Sequence, residues 1–237
     1  MGKTKGIHDG HKERIRKRFA EFDDFEGFQE HEILELFLSY ANHMRDTNET
    51  AHHLLNKFKT FDRLFSATRE ELLSVNGVGE GMATYILMYR AMFQKYICSK
   101  NTKKSKMYDR EEMHRYISSL FIGETTTEIL YMLCTSTAGK LLKTKLISRG
   151  NINSVHIDLR QVTREIFNCE AHGVIFAHNH PSGQTVPSYE DIETTATFQK
   201  YFEMISVKLI DHVICAGDEC ISVIEDPRYK IRLKIKD

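Results

Sequence analysis

The chain has 237 residues, of which 41% are hydrophobic and 28% are charged, as in an ordinary globular protein of one large or two smaller domains. Its 33 basic residues balance 33 acidic ones, so overall charge favours neither nucleic acid nor an acidic partner. Because the first residues lack an apolar core and no apolar run approaches the ~18 residues of a membrane span, the sequence predicts a cytoplasmic protein without a membrane partner.

Residues 1–98 are predicted to form an all-helical domain. Apolar side chains recur at helical spacing in His31–Ala41 and again in Thr50–Phe58. Leu72–Ala83 interrupts this pattern with three glycines, and the pattern resumes from Met82 to Tyr96. The interruption therefore marks a turn between two helices.

This turn has the form of a helix-hairpin-helix motif. Backbone N–H groups of Gly77, Val78 and Gly79, at the start of a helix, would be able to approach a DNA phosphate without reading the base sequence. Glu80 opposes such a contact, and no lysine or arginine follows in the chain before Arg90. The motif thus predicts either sequence-independent DNA binding or a purely structural or protein-docking hairpin.

Residues 99–105 are polar and basic, so residues 99–108 are predicted to link the helical domain to a second domain at 109–227, which a basic tail at 228–237 follows. Helical periodicity in the second domain covers Glu111–Phe121, Asp158–Glu170 and Ser188–Met204. Short apolar strands are predicted at Ile129–Thr135, Thr144–Ser148, Val174–Ala177, Val207–Cys215 and Ile221–Ile224. This alternation predicts an α/β domain built on a mixed sheet.

The five cysteines are scattered along the chain and include no Cys-x-x-Cys pair. Their pattern indicates neither a disulfide framework nor a thiolate zinc cluster. It is typical of a protein that works in a reducing cytoplasm.

The most informative segment is the apolar strand that leads into His178 and His180. Strand side chains alternate between faces, so residues two apart point to the same side and both imidazoles can reach one ion. Ser188 and Asp191 follow at the start of a helix that could fold back over the strand end. Two imidazoles and one carboxylate suit Zn²⁺ with one position left for water, with Mn²⁺, Fe²⁺ or Co²⁺ as alternatives. Taken alone, however, Ser-x-x-Asp is also a variant of the helix capping box.

The complete pattern, His-x-His, seven residues, Ser, two residues and Asp, resembles the JAMM (MPN) metalloprotease signature. Residues 177–183 (AHNHPSG) and 187–193 (PSYEDIE) resemble the RadC family closely. Further RadC-like segments lie at Arg149–Asn153, Arg164–Phe167, Leu209–Ile214, His11–Arg14, Asp46–Glu49 and Val75–Glu80. The resemblance therefore covers nearly the full chain.

This resemblance implies a three-layer mixed-sheet domain of JAMM/MPN type, similar to that of cytidine deaminases, preceded by the all-helical domain. It implies that His178, His180 and Asp191 bind one Zn²⁺ per chain, and that Ser188 helps to stabilise an oxyanion. The family also places a catalytic glutamate just before the first strand of the domain, where it binds the zinc water and acts as general base, and Glu128 stands at that position in this sequence.

Other residues offer alternatives for parts of this site. Glu124 and Glu165 are less favoured substitutes for the glutamate. Asp211 and His212 are interpreted as support for a ligand or for the fold, because a fourth ligand would close the catalytic position.

The implied function is a zinc-dependent hydrolase that acts on a protein or peptide substrate at peptide or isopeptide bonds. The alternative is a DNA-binding accessory protein of repair or recombination in which the metal is structural. A zinc deaminase has a similar fold, but its His-x-Glu and Pro-Cys-x-x-Cys motifs are absent from this sequence. That third interpretation is therefore set aside.

Overall fold

The computed structural model describes residues 11–42, 46–102, 107–150 and 158–234. The chain divides into two compact units, Met1–Met92 and Phe93–Asp237. The division lies within a helix, because α6 runs from Glu80 to Thr102 and includes the first residues of the predicted linker at 99–108. Residues 103–106 of that linker lie outside the described residues.

The described part of the first unit is helical, as predicted. Its helices are α1 (His11–Phe22), α2 (Glu30–Ala41), α3 (Asn48–Phe58), α4 (Phe61–Phe65), α5 (Arg69–Leu73) and the first part of α6. Leucines from α2 to α5 are fully buried, among them Leu34, Leu54 and Leu72, and they form one apolar core. Thr68 caps α5 in a reciprocal capping box with Glu71, which explains why this short helix starts there.

The second unit contains a five-stranded sheet with helices. Its elements are α7 (Arg110–Leu120), β1 (Ile129–Thr135), β2 (Leu141–Arg149), α8 (Leu159–Asn168), β3 (Gly173–Asn179), α9 (Tyr189–Met204), β4 (Lys208–Ala216), β5 (Glu219–Ser222) and α10 (Pro227–Lys234). The strand order is β2-β1-β3-β4-β5, with β3 and β4 parallel and the other neighbours antiparallel. This arrangement confirms the predicted α/β class and mixed sheet.

Helices cover both faces of the sheet, so the unit has three layers. On one face, Ile175 and Ala177 of β3 pack in a cluster that includes α7. On the other face, Phe176 packs with α8 and α9, and its ring lies 4.2 Å from that of Phe198. Because strand side chains alternate, His178 points to the same side as Phe176, towards α9.

Several element boundaries differ from the predicted ones. β2 begins at Leu141, before the predicted strand, and β3 continues past the predicted end so that it includes His178 and Asn179. The predicted strand Ile221–Ile224 is instead the end of β5 followed by a 3₁₀ turn at Val223–Glu225. The described part of the predicted basic tail belongs to α10, and residues 235–237 lie outside the described residues. None of the described helices is long and apolar enough to cross a membrane.

One disulfide joins Cys215 and Cys220, which the cysteine pattern did not predict. The antiparallel register of β4 and β5 places these two residues directly opposite each other, with Cα atoms 4.2 Å apart. Cross-strand neighbours of this kind are close enough to bond although they are five residues apart in the chain. Sequence spacing alone does not reveal this register.

Candidate metal centre

The two histidines and the aspartate meet at the end of β3. The Nε2 atoms of His178 and His180 lie 2.9 Å apart. One carboxylate oxygen of Asp191 lies 3.3 Å from Nε2 of His178, and the other lies 3.5 Å from Nε2 of His180. One ligand atom from each residue therefore falls within 4.8 Å of the others, as a shared ion requires.

Local structure explains this convergence. His178 is part of β3, whereas His180 lies just beyond the strand and is held by a hydrogen bond from its backbone N–H to the carbonyl of Cys215 at 2.8 Å. A turn follows, in which the N–H of Gly183 bonds to the carbonyl of His180. The chain then returns to α9, whose first turn carries Asp191 back over the strand end.

The side chain of His180 is oriented by a backbone group. Its Nδ1 lies 2.7 Å from the carbonyl oxygen of Gln184. Since a carbonyl only accepts hydrogen bonds, Nδ1 carries the proton and the lone pair of Nε2 faces the centre. His180 is thus in the tautomer that binds a cation through Nε2.

The donor set fits a divalent metal. Burial alone would raise the pKa of Asp191, but the adjacent His178 and His180 hold it well below its usual range. The carboxylate of Asp191 in turn raises the pKa of His180. The carboxylate therefore stays ionised beside two imidazole nitrogens, and a divalent cation can satisfy all three groups at once.

Three glutamates were candidates for the general base, and their surroundings differ. Glu128 lines a pocket of about 230 Å³ together with the two histidines and Asp191. Glu124 forms two hydrogen bonds with the guanidinium of Arg149, at 3.0 and 3.2 Å. Glu165 pairs with two lysines, Lys143 at 2.6 Å and Lys145 at 2.9 Å. Of these three carboxylates, only that of Glu128 lines the pocket of the candidate metal ligands.

Ser188 serves the helix start and also lines this pocket. It is the N-cap of α9, where its Oγ accepts a hydrogen bond from the backbone N–H of Asp191 at 3.1 Å. The hydroxyl donates to a carboxylate oxygen of Asp191 at 2.7 Å. The capping box and the ligand cluster, which were alternative interpretations of the sequence, are therefore present together in the same residues.

Asn179, which sequence reasoning did not select, connects the histidine pair to the segment that carries Glu128. Its side-chain amide donates to the carbonyls of Glu124 and Thr127, at 2.9 and 3.0 Å. Its side-chain oxygen accepts from the backbone N–H of Ile129 at 2.8 Å. These bonds attach the residues before and after Glu128 in the chain to the end of β3.

His212 lies beside His178 and is not among the three clustered residues, as its interpretation as a supporting residue predicts. Its Nε2 lies 2.9 Å from Nδ1 of His178, on the side of that ring away from the centre. Burial lowers the pKa of His212 to about 3, so the ring is neutral. Its neighbour Asp211 is also buried and accepts hydrogen bonds from the hydroxyl of Ser222 and from the backbone N–H of His212.

Asp211→Asn is expected to remove a pH dependence of stability. Burial raises the pKa of Asp211 to about 6, so the folded state holds its proton more tightly than the unfolded state does. The stabilising contribution is complete below about pH 4 and is lost as the pH rises through about 6. Relative to wild type, the variant should gain up to about 3 kcal/mol between pH 4 and pH 8. Urea unfolding at both values measures this gain, and equal differences at both would contradict it.

The two glycines of the hairpin in the first unit have different surroundings. Only glycine fits at Gly77, whereas Gly79 has open space around it. Gly77 has φ +89°, and a Cβ there would lie 2.3 Å from Oγ1 of Thr50. Gly79, by contrast, has no neighbour within 4 Å of the position that a Cβ would occupy, and Val78 is buried in the core. Gly77 therefore belongs to the packing of the hairpin, whereas Gly79 leaves the helix start accessible.

Charge near this hairpin differs from the expectation drawn from the sequence. Glu80, which would repel a phosphate, pairs with the guanidinium of Arg69 at 2.8 Å. Arg69 also donates to the hydroxyl of Thr84. Folding thus brings a cation to the start of α6 from a residue that precedes the hairpin, although Arg90 is the next cation after it in the chain.

Comparisons with known proteins agree with both units. A family model described as a RadC-like JAB domain matches residues 107–228, more than half of the chain. The chain is a member of the RadC family. The matched RadC domain contains both histidines, Asp191, Glu128 and Ser188. A helix-hairpin-helix motif matches residues 48–95, which include the hairpin glycines.

Curated RadC-family relatives match along most of their length. A UPF0758 protein of Fusobacterium nucleatum is 30% identical over 227 residues, which cover 92% of this chain and 97% of the relative. A UPF0758 protein of Psychrobacter cryohalolentis is 30% identical over 222 residues, covering 93% and 96%. One from Pseudoalteromonas translucida is 29% identical over 194 residues, covering 82% and 86%. These names state no activity.

Proposed function

We propose that this RadC-family protein is a zinc-dependent hydrolase of peptide or isopeptide bonds. The observation that carries the proposal is the convergence of His178, His180 and Asp191 in a pocket that also contains Glu128. Two imidazoles and a carboxylate are a ligand set of hydrolytic zinc sites, in which one coordination position stays open. A protein or peptide is the substrate class that the JAB-type domain favours.

The residues of the pocket then have distinct roles. A Zn²⁺ ion bound by the three ligands would supply a water of lowered pKa and polarise the substrate carbonyl. The carboxylate of Glu128 would take a proton from the attacking water and deliver it to the nitrogen of the leaving amine. The C–N bond breaks, and the products are a carboxylic acid and an amine.

Ser188 would contribute a hydrogen bond to the negative charge that develops on the carbonyl oxygen. Its hydroxyl proton points to Asp191 in the structure, so it must turn into the pocket to serve this role. Its position at the start of α9 supports the assignment, because helix N-termini favour negative charge. Removal of one such donor typically slows a reaction by ~10²- to 10³-fold.

Metal analysis combined with a peptide-cleavage screen tests the proposal. The purified protein is expected to bind about one zinc ion, and this ion should be lost in His180→Ala and in Asp191→Ala. Cleavage of a broad peptide and isopeptide library should occur with zinc, stop on chelation and return when zinc is restored. A protein that binds no zinc, or whose cleavage is unaffected by chelation, would contradict the proposal.

We propose a second function, sequence-independent DNA binding through the hairpin of the first unit. It is favoured by the open space around Gly79 at the start of α6, a helix of 23 residues, and by the nearby Arg69. Backbone N–H groups at such a helix start are suited to phosphate oxygens. A structural or protein-docking hairpin remains the competing interpretation.

Gly79→Asp tests DNA binding by adding a negative charge at this helix start. We expect duplex DNA binding at low salt to weaken at least about tenfold, and wild-type affinity to fall steeply with salt. Thr197→Asp is the control, because it makes the same charge change at an exposed position of the second unit. Gly77 is unsuitable, since its substitution would strain the hairpin itself. Equal binding by both variants, or binding insensitive to salt, would contradict the assignment.

A further inference from the structure

We infer that His212 and Thr195 are positioning residues that hold His178 in the one tautomer able to bind a metal. The inference rests on the metal site proposed above and concerns how the protein prepares that site. A histidine binds a metal through a nitrogen that has a lone pair, so the proton must sit on the other ring nitrogen. For His178, the nitrogen facing the centre is Nε2 and the other is Nδ1.

The chain of hydrogen bonds begins at a backbone carbonyl. Thr195 lies one turn after Asp191 on α9, and its hydroxyl donates to the carbonyl oxygen of Asp191 at 2.5 Å. A hydroxyl has a single proton, so Oγ1 of Thr195 has only acceptor capacity left. Nδ1 of His212 lies 2.6 Å from that oxygen and must therefore be the donor.

This assignment determines the next bond. With its proton on Nδ1, His212, which is buried, presents a lone pair at Nε2. Nδ1 of His178 lies 2.9 Å from that nitrogen, so Nδ1 of His178 carries the proton and donates. Nε2 of His178 is then left with its lone pair directed at Nε2 of His180 and the carboxylate of Asp191.

Burial keeps this chain from rearranging. The exposed fractions of His178, His212 and Thr195 are 1%, 3% and 0%, so bulk water does not reach them to replace a partner. Their positions come from three different elements, β3, β4 and α9. His180, which lies at the pocket and bonds directly to a backbone carbonyl, needs no such relay.

The hydroxyl of Thr195 determines the direction of every hydrogen bond in this series. Without its oxygen, the proton of His212 has no acceptor at Nδ1 and can move to Nε2. A donor at Nε2 of His212 would require a lone pair at Nδ1 of His178 and hence a proton on the nitrogen that faces the metal. Loss of the Thr195 hydroxyl would therefore favour the tautomer of His178 that has no lone pair for the metal.

Thr195→Val is the decisive variant, because it replaces the hydroxyl with a methyl group at nearly constant volume. Zinc affinity, measured by competition with a chelator, should fall by about 10- to 100-fold, as is typical when a partner of a ligating histidine is lost. Thr195→Ser restores the hydroxyl and should return the affinity to near the wild-type value. Thr197→Val is the matched control, since Thr197 on the same helix also donates to the carbonyl four residues earlier, that of Glu193, but is exposed.

A direct readout of the tautomer complements affinity. Nitrogen-15 NMR of the zinc-free protein should show His178 protonated at Nδ1 in wild type and in Thr195→Ser, and at least partly at Nε2 in Thr195→Val. His212→Leu, which removes the acceptor entirely, should weaken zinc binding similarly and serves if Thr195→Val does not fold. Unchanged zinc affinity in both Thr195→Val and His212→Leu, or an Nε2-protonated His178 in wild type, would overturn the inference. Failure of wild type to bind zinc would instead overturn the proposed metal site.

Discussion

Glu128→Gln is expected to lower peptide hydrolysis by about 10²- to 10⁴-fold while zinc content stays at the wild-type value. Glutamine keeps the size and hydrogen-bonding capacity of the side chain but cannot take a proton from water. Because Glu128 is not among the three clustered ligands, the metal should be retained. Turnover of a cleaved peptide, measured together with bound zinc, separates loss of the base from loss of the metal.

Glu165→Gln is the matched control for this experiment. Glu165 is also a glutamate of the second unit, but it pairs with lysines of β2 and does not line the pocket. Its substitution should leave turnover within about twofold of wild type at temperatures where the protein is folded. Wild-type turnover in Glu128→Gln, or an equal loss in Glu165→Gln, would reject Glu128 as the base.

Asn179→Ala is expected to reduce both stability and activity. The change leaves the backbone N–H of Ile129 and the carbonyls of Glu124 and Thr127 without their side-chain partner. The buried N–H of Ile129 that loses its hydrogen bond costs about 1 to 3 kcal/mol and the two part-buried carbonyls cost less, so the free energy of unfolding should fall by about 2 kcal/mol or more. Urea unfolding of the zinc-free protein measures this loss without a contribution from the metal.

The activity of Asn179→Ala should fall for a second reason, which is the displacement of Glu128. A shift of about 1 Å in a catalytic group can cost about 10²-fold in rate. Both histidines and Asp191 remain, so zinc should still bind. A stability loss below about 1 kcal/mol would reject the hydrogen-bond argument. Wild-type turnover by the folded, zinc-loaded variant would reject the positioning of Glu128.

The sequence predicted most of the candidate centre because its elements are local. His178 and His180 are two residues apart at a strand end, and Ser188 with Asp191 opens the next helix. Spacing therefore allows a shared site, which the family resemblance assigns to a metal. Glu128 was selected by resemblance rather than by spacing. What separated it from Glu124 and Glu165 was its place in the pocket that His178, His180 and Asp191 line.

The supporting residues could not be predicted because they depend on long-range geometry. Thr195 and His212 meet only because α9 crosses β4, and Asn179 reaches Ile129 only because β1 pairs with β3. The pairing of Cys215 with Cys220 similarly follows from a strand register. No local pattern in the sequence encodes these contacts.

The start of the predicted linker at 99–108 was wrong for a different reason, since its first residues belong to α6. Residues 99–102 are polar, which is equally compatible with a loop and with the exposed end of a helix, and the structure continues α6 through them. Lysine and asparagine at a helix end have no apolar periodicity for a sequence pattern to detect. The boundary between the units therefore depends on packing, which composition does not describe.

Asp191 performs two tasks with one carboxylate, since it bonds to the backbone of Ser188 and faces the imidazoles of His178 and His180. An ion bound at these imidazoles would consequently also constrain the first turn of α9, which contains Asp191. A ligated carboxylate would anchor that turn to the sheet, and amide hydrogens there should exchange with solvent more slowly once the ion is present. The metal would thus link α9 to β3, so that metal binding also makes the first turn of α9 more rigid.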